Sequence, residues 1–415
     1  MNAFRNIAVV NTGTELMNGT TVNTDFAGLC AALTAEGFSV ELGLAAGDRP
    51  EAIYQALAAA LKSADCVIVS GGLGSTRDDM TLACVGRFFG WELEESPELR
   101  ERIERFWFAR HPQKRIPPMV LRQALLPRGG EALANGNGSA PGIWMPCRYD
   151  GRERRILLLP GPPRELLPMV EAEVMPRLRA LRGGAWFTRG FLAAGRGELE
   201  LQKLLEPPVA ALGAELGYCA RPEGTRVFVS AGNEAAADAA LDAARTLVGR
   251  DALEPGELEL LPSLFRILRR RGLTFGCAES CTGGMMAAAV THYPGVSAFF
   301  KGGAVVYSNE LKQKLLGVPE AVLRQYGAVS VECAEAMVGG ALSALGCDAA
   351  AAVTGIAGPD GGTPEKPVGM VCIGAAVRER RIVREFHFPG DRDAVRERTC
   401  ANAFLMVREL LLADE

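Results

Sequence analysis

Ala-Glu-Ser-Cys-Thr-Gly-Gly, residues 278–284, is the stretch around which the carboxy-terminal part of the chain is organised. The apolar run 273–277 before it predicts a buried strand, and the small apolar residues 285–290 after it predict a helix. Main-chain N–H groups at a helix start are unpaired within the helix and favour an anion. Ser280 lies in this turn and could act as a nucleophile beside such donors. An ordinary N-cap, in which Ser280 or Thr282 bonds the first-turn amides, is the simpler alternative.

Composition restricts the class of protein. At 415 residues the chain is long enough for two or three domains, and 48% hydrophobic with 23% charged residues is typical of a globular protein. A net charge of −4 gives no reason to expect nucleic-acid binding. The eleven cysteines are scattered, and many lie in apolar runs, which predicts reduced thiols rather than disulfides or a zinc site. No signal-peptide pattern and no membrane-spanning run is seen, so a cytoplasmic protein is expected.

The first part of the chain reads as an α/β domain. Short apolar strands alternate with helical segments, which predicts a parallel, doubly wound sheet. Ligands of such sheets bind beyond the carboxyl ends of the strands. The loop 71–79 follows one of these strands, and its glycines could approach phosphate oxygens. Asp78 and Asp79, with Glu15 on an earlier loop, could hold a divalent cation. A tight strand-to-helix turn is the alternative.

Two breaks in the pattern predict three domains. Arg182–Gly184 and the acidic stretch 254–259 mark the boundaries, giving domains 1–182, 186–253 and 258–415. The middle segment has the order strand, helix, two strands, helix, which resembles a small α+β KH module by element order alone. Its Gly195-Arg196-Gly197 does not match the Gly-x-x-Gly loop with which KH domains clamp nucleic acid. A structural connector is therefore expected.

Two further side chains could complete a site with Ser280. Tyr307 lies at the end of the next predicted strand, residues 302–309, and Lys312 lies on the helix after it. A serine, a tyrosine and a lysine can supply a nucleophile and a base without histidine, because the pKa of a lysine falls when it is desolvated. Tyr307 could equally be a strand aromatic, and Lys312 a solvated helix residue.

A glycine-rich loop and a basic segment lie further along this domain. The loop 354–362 comes directly after a buried strand, and its amides could cradle a phosphate or an oxyanion. Arg392 and Arg396, at the start of the final helix, offer guanidinium groups to an anion. Together these segments predict an anion-binding site at one edge of the sheet.

Ten motifs resemble one known family. AESCTGG (278–284), YSNELK (307–312), GAVS (327–330), TGIAGPDGG (354–362), KPVG (366–369) and PGDRDAVR (389–396) resemble the CinA carboxy-terminal domain, a family of nicotinamide mononucleotide deamidases. GTEL (13–16), SGGLGSTRDD (70–79), NGSAPG (137–142) and LPGPPREL (159–166) resemble the molybdopterin-binding-like domain of full-length CinA proteins. The fold implied is α/β: a doubly wound molybdopterin-binding-like domain, a KH-like α+β connector and a three-layer α/β carboxy-terminal domain.

For the carboxy-terminal domain the resemblance implies hydrolysis of nicotinamide mononucleotide to nicotinic acid mononucleotide and ammonia. It implies Ser280 as the nucleophile, Tyr307 and Lys312 as the activating pair, and no cofactor. The residues implied in binding the substrate phosphate or the oxyanion are Thr282, Gly283, Gly355, Ala357, Gly358, Arg392 and Arg396. A homodimer is also expected from the family, with small nucleotides rather than nucleic acid or membrane as partners.

For the amino-terminal domain the resemblance implies a metal-dependent ADP-ribose pyrophosphatase, with Glu15, Asp78 and Asp79 at the metal or the phosphates. The sequence departs from the family pattern at Asn18, Asp25, Leu73 and Ser75, which puts this activity in doubt. Two alternatives stay open: a molybdopterin-type ligand-binding protein and a non-catalytic competence- or damage-inducible protein.

Overall fold

A computed structural model of the chain describes residues 6–181 and 187–413. The chain divides into two compact units, one comprising residues up to 188 with 231–234, the other comprising residues 189–230 and those from 235 onward. The domain boundary predicted at Arg182–Gly184 lies outside the described residues.

The first unit alternates strands and helices. Its strands are β1 (Asn6–Thr12), β2 (Ser39–Ala46), β3 (Cys66–Ser70), β4 (Leu93–Glu95), β5 (Leu125–Pro127), β6 (Glu131–Leu133), β7 (Gly142–Tyr149) and β8 (Arg152–Leu159). Its helices are α1 (Thr14–Met17), α2 (Thr24–Ala35), α3 (Pro50–Ser63), α4 (Thr81–Phe89), α5 (Pro97–Arg110), α6 (Pro118–Leu121), α7 (Pro163–Met169) and α8 (Met175–Leu181). A π-helical turn (Val170–Val174) joins the last two helices.

The main sheet of this unit has the order β2-β1-β3-β8-β7-β6. Strands β1, β2, β3 and β8 are parallel, as the sequence predicts, whereas β7 runs antiparallel to both of its neighbours, β8 and β6. The antiparallel pair arises from a tight hairpin: β7 and β8 are joined by Asp150 and Gly151, with φ of 47° and 74°. An Asp-Gly pair in this conformation turns the chain back within two residues, which only antiparallel strands allow.

Both faces of this sheet are covered by helices. Ile7 and Val9 of β1 pack in one apolar cluster with residues of α2 and α7, while Ala8 and Val10 pack in another with residues of α3 and α4. The strands are buried on both faces and are therefore continuously apolar, as expected for parallel strands between two helix layers.

The predicted connector lies mostly in the second unit. Its strands are β9 (Phe187–Ala194), β10 (Glu215–Arg221) and β11 (Gly224–Ala231), in the order β10-β11-β9, and its helices are α9 (Glu198–Ala210) and α10 (Glu234–Val248). The predicted order of elements is thus observed. The connector does not stand alone, because Leu192 and Leu253 pack in the same apolar cluster as Leu260 and Leu264 of the following helix.

The rest of the second unit is a three-layer α/β/α domain. Its strands are β12 (Phe275–Glu279), β13 (Phe300–Val305), β14 (Ala349–Gly355), β15 (Met370–Val377) and β16 (Arg380–His387). Its helices are α11 (Leu260–Arg270), α12 (Met285–Thr291), α13 (Asn309–Leu316), α14 (Glu320–Tyr326), α15 (Val331–Leu345) and α16 (Arg392–Leu412). The sheet order is β13-β12-β14-β15-β16, with β12, β13 and β14 parallel, β15 antiparallel to β14, and β16 antiparallel to β15.

Alternate residues of the central strands face opposite layers. Phe275 and Cys277 of β12 pack with residues of α11, α12 and α16, whereas Ala278 packs with residues of α13 and α15. Strand β12 begins and ends two residues later than the sequence predicts, so Glu279 belongs to the strand rather than to the turn.

Two expectations from composition can be compared with the structure. All eleven cysteines lie in the described part of the chain as free thiols. Among the described residues, no helix combines the length and the apolar character needed to cross a membrane.

Candidate active site

Ser280 lies at the topological switch point of the carboxy-terminal sheet, where successive parallel strands are added on opposite sides of β12. Strand β12 has β13 on one side and β14 on the other, so the chain crosses from one edge of β12 to the other between β13 and β14. Crevices at the carboxyl ends of strands form at such switch points and bind ligands. Ser280 directly follows β12 and is 7% exposed, and its N–H donates to the carbonyl oxygen of Val353 on β14 (3.1 Å).

The side chain of Lys312 reaches Ser280 from α13. Its Nζ lies 3.0 Å from Ser280 Oγ, 3.0 Å from the carbonyl oxygen of Val306 and 3.2 Å from the carbonyl oxygen of Tyr307. Lys312 is 1% exposed, so it is not the solvated helix residue that the sequence left open. The structure therefore brings together two of the three predicted catalytic residues.

The surroundings of Lys312 favour its neutral form. Burial lowers the pKa of Lys312, and within the described residues no carboxylate contacts its ammonium group. A neutral amine has two N–H donors and one lone pair. The two carbonyl oxygens can only accept, so the lone pair is left for the hydroxyl hydrogen of Ser280. This is the arrangement that a general base requires.

Glu279 is the functional residue that the sequence analysis missed. Its side chain is fully buried at the start of α12. Glu279 Oε2 accepts from Thr282 Oγ1 (2.7 Å) and from the N–H groups of Gly284 (3.0 Å) and Met286 (3.0 Å), and Oε1 accepts from Ala287 N–H (2.9 Å). A carboxylate at this position is stabilised by the positive end of the helix dipole.

This contact overturns the predictions made for the turn. The first-turn amides of α12 are bound by Glu279, so they are not free to hold a substrate anion, and neither Ser280 nor Thr282 caps the helix. Thr282 is completely buried, with its hydroxyl on Glu279 and its carbonyl oxygen on Arg396 Nη2 (2.9 Å). Thr282 therefore shapes the turn, and its hydroxyl is already engaged by Glu279.

Two glycines allow the turn to fold over Glu279. Gly283 and Gly284 have φ of 60° and 98°, a left-handed conformation that favours glycine. Gly283 is exposed, and its place beside a ligand remains a prediction.

The thiol of Cys281 lies next to Ser280 but is a poor alternative nucleophile. Burial raises its pKa to about 12, and the Arg396 guanidinium, together with Lys312 when it is protonated, offsets this only partly. The thiolate, which is the reactive form, is therefore scarce near neutral pH.

Tyr307 does not take the position predicted for it. Its side chain is 63% exposed, and it contacts Lys312 only through its main-chain carbonyl oxygen. Among the described residues, its phenol makes no hydrogen bond. The prediction that the phenol and the Lys312 amine form an activating pair is not met in this geometry.

The remaining predicted residues surround the turn. Arg392 Nη1 donates to the carbonyl oxygen of Gly358 (2.6 Å), and Arg396 Nη1 donates to Asp393 (3.1 Å). Arg392 thus ties the start of α16 to the loop after β14, and Arg396 ties it to the turn after β12 through the carbonyl oxygen of Thr282. Arg392 is exposed and has no carboxylate partner in the described part of the chain, whereas Arg396 is paired with Asp393.

Two glycines, one at the end of β14 and one in the loop after it, leave no room for a side chain. A side-chain carbon on Gly355 would lie 2.7 Å from Val371, and one on Gly358 would lie 2.5 Å from Val368. Ala357 between them is 5% exposed. This loop follows the strand that neighbours β12, so it borders the same crevice as Ser280.

The first unit contains a separate cavity of about 510 Å³ at the carboxyl ends of β1, β3 and β8. It is lined by Glu15, Asp25, Ser70, Gly71, Leu73, Ser75, Asp79 and Pro160, among others. Two buried polar atoms of residues in its lining, Asn11 Nδ2 and Gln123 Oε1, have no hydrogen-bond partner in the described part of the chain. Unpartnered buried polar groups at a cavity are a reason to expect a polar ligand.

The residues predicted to bind a metal do not come together there. Glu15 and Asp79 line the cavity and Asp78 does not. Asp79 Oδ2 already accepts from the N–H and the hydroxyl of Thr76, both at 2.7 Å. No group of three or more His, Cys, Asp and Glu that could hold a metal ion is present among the described residues. The donor set therefore does not fit the implied divalent metal.

Three of the four departures from the family pattern, Asp25, Leu73 and Ser75, line this cavity. Burial raises the pKa of Asp25, and the nearby Glu15 carboxylate raises it further. A hydrogen bond from Ser70 lowers this pKa and offsets only part of the rise. Asn18 instead accepts from the N–H and the hydroxyl of Thr20 (3.1 and 2.8 Å) and shapes a local turn.

Comparisons with known proteins cover nearly the whole chain. The family described as the CinA C-terminal domain matches residues 258–411, and the probable molybdopterin binding domain matches residues 8–180. A putative competence-damage inducible protein of Symbiobacterium thermophilum is 41% identical over 97% of this chain and 98% of its own length. A CinA-like protein of Akkermansia muciniphila is 39% identical over 94% of both chains.

A solved structure of a CinA superfamily protein from Klebsiella pneumoniae is 35% identical and covers 37% of this chain and 96% of its own, with a TM-score of 0.36.

Proposed function

The chain belongs to the CinA family, and from this premise we propose that it hydrolyses the carboxamide of nicotinamide mononucleotide to the carboxylate, releasing ammonia. The observation that carries the proposal is the buried contact between Lys312 Nζ and Ser280 Oγ at 3.0 Å. A buried lysine with only carbonyl and hydroxyl oxygens around it costs stability, because its charged form is desolvated without a counterion. Activation of a serine is a reason to keep such a group.

The first half of the reaction is acyl transfer to Ser280. The neutral amine of Lys312 takes the hydroxyl proton while Ser280 Oγ attacks the carboxamide carbon, forming a tetrahedral oxyanion. The C–N bond then breaks, and the Lys312 ammonium returns its proton to the leaving nitrogen, which departs as ammonia. An ester between Ser280 and the pyridine carbonyl remains.

The second half repeats the same steps with water. Lys312 removes a proton from a water molecule, the hydroxyl attacks the ester carbon, and Ser280 leaves with the proton that Lys312 returns. The product is nicotinic acid mononucleotide. Since the N–H groups of Gly284, Met286 and Ala287 are bound by Glu279, we assign the oxyanion to the N–H groups of the neighbouring loop, at Ala357 and Gly358.

The two arginines have different roles in this proposal. Arg392 contacts the substrate phosphate, because it is exposed and not paired with a carboxylate among the described residues. Arg396 positions the turn that carries Ser280 by holding the carbonyl oxygen of Thr282.

A second candidate function concerns the first unit. The unpartnered Asn11 and Gln123 atoms of the 510 Å³ cavity favour a polar small-molecule ligand, of the nucleotide or pterin class that the family implies. ADP-ribose is the nucleotide expected from the resemblance. No metal-dependent cleavage is assigned to this cavity, since its donor set does not fit a metal.

The experiment that tests the main proposal is product analysis. The full chain is incubated with nicotinamide mononucleotide, and both nicotinic acid mononucleotide and ammonia are quantified over time. The proposal predicts equal amounts of the two products and no free nicotinamide. Release of nicotinamide, or no product at all, would count against amide hydrolysis.

A further inference from the structure

A second cavity, of about 270 Å³, lies within the second unit between the connector and α16. We refer to it as the arginine cavity. Four arginines and two acidic residues contribute to its lining: Arg196, Arg250, Arg384, Arg408, Asp251 and Glu409. The cavity is separate from the residues of the proposed active site and from the cavity of the first unit.

Two of the four guanidinium groups are neutralised internally. Arg384 makes two hydrogen bonds to the Glu409 carboxylate (2.6 and 2.7 Å), and Arg196 is bound to Asp251 (3.0 Å) and to Glu200 (2.5 Å). Both carboxylates of the lining are thereby used.

The other two, Arg250 and Arg408, have no carboxylate partner in the described part of the chain. Arg408 is only 7% exposed, and its single hydrogen bond runs from Nη2 to the carbonyl oxygen of Arg250 (2.8 Å). Its Nε is buried and has no partner among the described residues. Burial lowers the pKa of Arg408, although an arginine stays charged under all ordinary conditions.

A buried guanidinium without a counterion is costly, and a bound anion would remove that cost. The charged groups that act on Arg408 are Asp251 and Glu257, which attract it, and Arg266 and Arg250, which repel it. Asp251 already forms an ion pair with Arg196, and Glu257 forms one with Arg266 (2.9 Å). The local balance is therefore an excess of positive charge around the cavity.

We propose that the arginine cavity binds a small phosphate-bearing anion through Arg250 and Arg408. Planar guanidinium groups match the geometry of phosphate oxygens and bind them with charge-assisted hydrogen bonds. The volume suits inorganic phosphate, pyrophosphate or a sugar phosphate, since pockets for drug-sized ligands begin at roughly 300 Å³. The ligand would join the connector, through Arg250, to α16, the helix whose first turns carry Arg392 and Arg396.

The test is calorimetric titration of the full chain at constant ionic strength with inorganic phosphate, pyrophosphate and ribose 5-phosphate as separate probes. Arg250→Ala removes an exposed side chain and keeps the carbonyl oxygen that Arg408 needs, so it should fold normally. Arg221→Ala, at an exposed arginine of the same unit outside the cavity, is the matched control. Arg392→Gln controls for phosphate binding at the proposed active site.

The proposal predicts saturable binding of at least one probe, and the tightest probe identifies the source of the phosphate. At the arginine cavity, binding should weaken about tenfold or more in Arg250→Ala and in Arg408→Gln and stay unchanged in Arg221→Ala, whereas a binding component lost in Arg392→Gln belongs to the proposed active site. If Arg408→Gln does not fold, Arg250→Ala alone decides. No saturable binding by the native chain, equal binding by Arg250→Ala, or an equal loss in Arg221→Ala would overturn the proposal.

Discussion

Lys312 Nζ lies 3.0 Å from Ser280 Oγ, and its two other hydrogen-bond partners are main-chain carbonyl oxygens. This relationship joins the end of one strand to the helix that follows the next strand. It supports a serine nucleophile with a lysine base and needs neither a histidine nor a carboxylate. The predictions that follow test this pair and the residues that hold it.

The pH dependence of activity should follow the protonation of Lys312. Burial lowers the pKa of Lys312 below the ordinary lysine value of 10.5, and only the neutral amine can accept the Ser280 proton. We expect kcat/KM to rise with pH through this lowered pKa. Lys312→Arg keeps the charge but cannot act as a base, and should be inactive at every pH. A rising limb near 10.5 would contradict the account.

The same shift predicts how stability changes with pH. Between the folded-state pKa of Lys312 and 10.5, the unfolded chain binds more protons at this residue than the folded chain. The contribution of Lys312 to the free energy of unfolding therefore rises with pH in that window. Denaturant unfolding of native and Lys312→Met chains at several pH values measures it. The native-minus-variant difference should grow with pH, and a difference that shrinks would refute the lowered pKa.

Tyr307 and Lys312 should differ sharply as catalytic residues. The phenol of Tyr307 makes no hydrogen bond among the described residues, and the contact with Lys312 uses the carbonyl oxygen, which substitution leaves in place. Tyr307→Phe should keep kcat within about threefold of the native value, whereas Lys312→Met should lose roughly two or more orders of magnitude. Steady-state kinetics with nicotinamide mononucleotide measures both. Equal losses of kcat in the two variants would show that the Tyr307 phenol takes part in the proton transfer.

Arg392 and Arg396 should separate in their kinetic effects. Arg392→Gln should raise KM for nicotinamide mononucleotide about tenfold or more, with little change for nicotinamide riboside, which lacks the phosphate. Arg396→Gln should lower kcat for both substrates, because it loosens the turn that carries Ser280. If only Arg396→Gln affected the two substrates differently, the phosphate contact would have to be assigned to Arg396 instead of Arg392.

Glu279 should be essential for the stability of the turn. Its carboxylate accepts from one hydroxyl and three main-chain N–H groups, and an amide would turn one acceptor into a donor facing them. Glu279→Gln should lower the free energy of unfolding by about 3 kcal/mol. The exposed cap Asp391, which accepts from Ala394 N–H, is the matched control, and Asp391→Asn should cost less than about 1 kcal/mol. Similar values for the two variants would show that Glu279 is an ordinary cap.

Much of the fold could be predicted from the sequence, because parallel strands buried on both faces leave apolar runs such as Cys66–Ser70 between amphipathic helices. The antiparallel β7 was missed although its turn at Asp150 and Gly151 carries a hairpin signal. The packing of the connector on the last domain was also not predicted, since Leu192 and Leu253 contact residues distant in sequence.

The candidate site was predicted only in part. Ser280 and Lys312 could be chosen by residue type and by their places after neighbouring strands, and the structure brings them together. Glu279 was missed because β12 has no polar alternation to show its faces. The available signal was its spacing of two from Cys277, which places both side chains on the face covered by α12. Tyr307 was predicted to end a strand beside Lys312, but β13 ends at Val305, and the Tyr307 side chain is exposed.

The measurement that tests the central claim most directly is ammonia release from nicotinamide mononucleotide by the native chain, Ser280→Ala and Cys281→Ala. The account predicts steady release by the native chain, comparable release by Cys281→Ala, and none above background by Ser280→Ala. Release by Ser280→Ala at the native rate would contradict the account, because the nucleophile would then lie elsewhere.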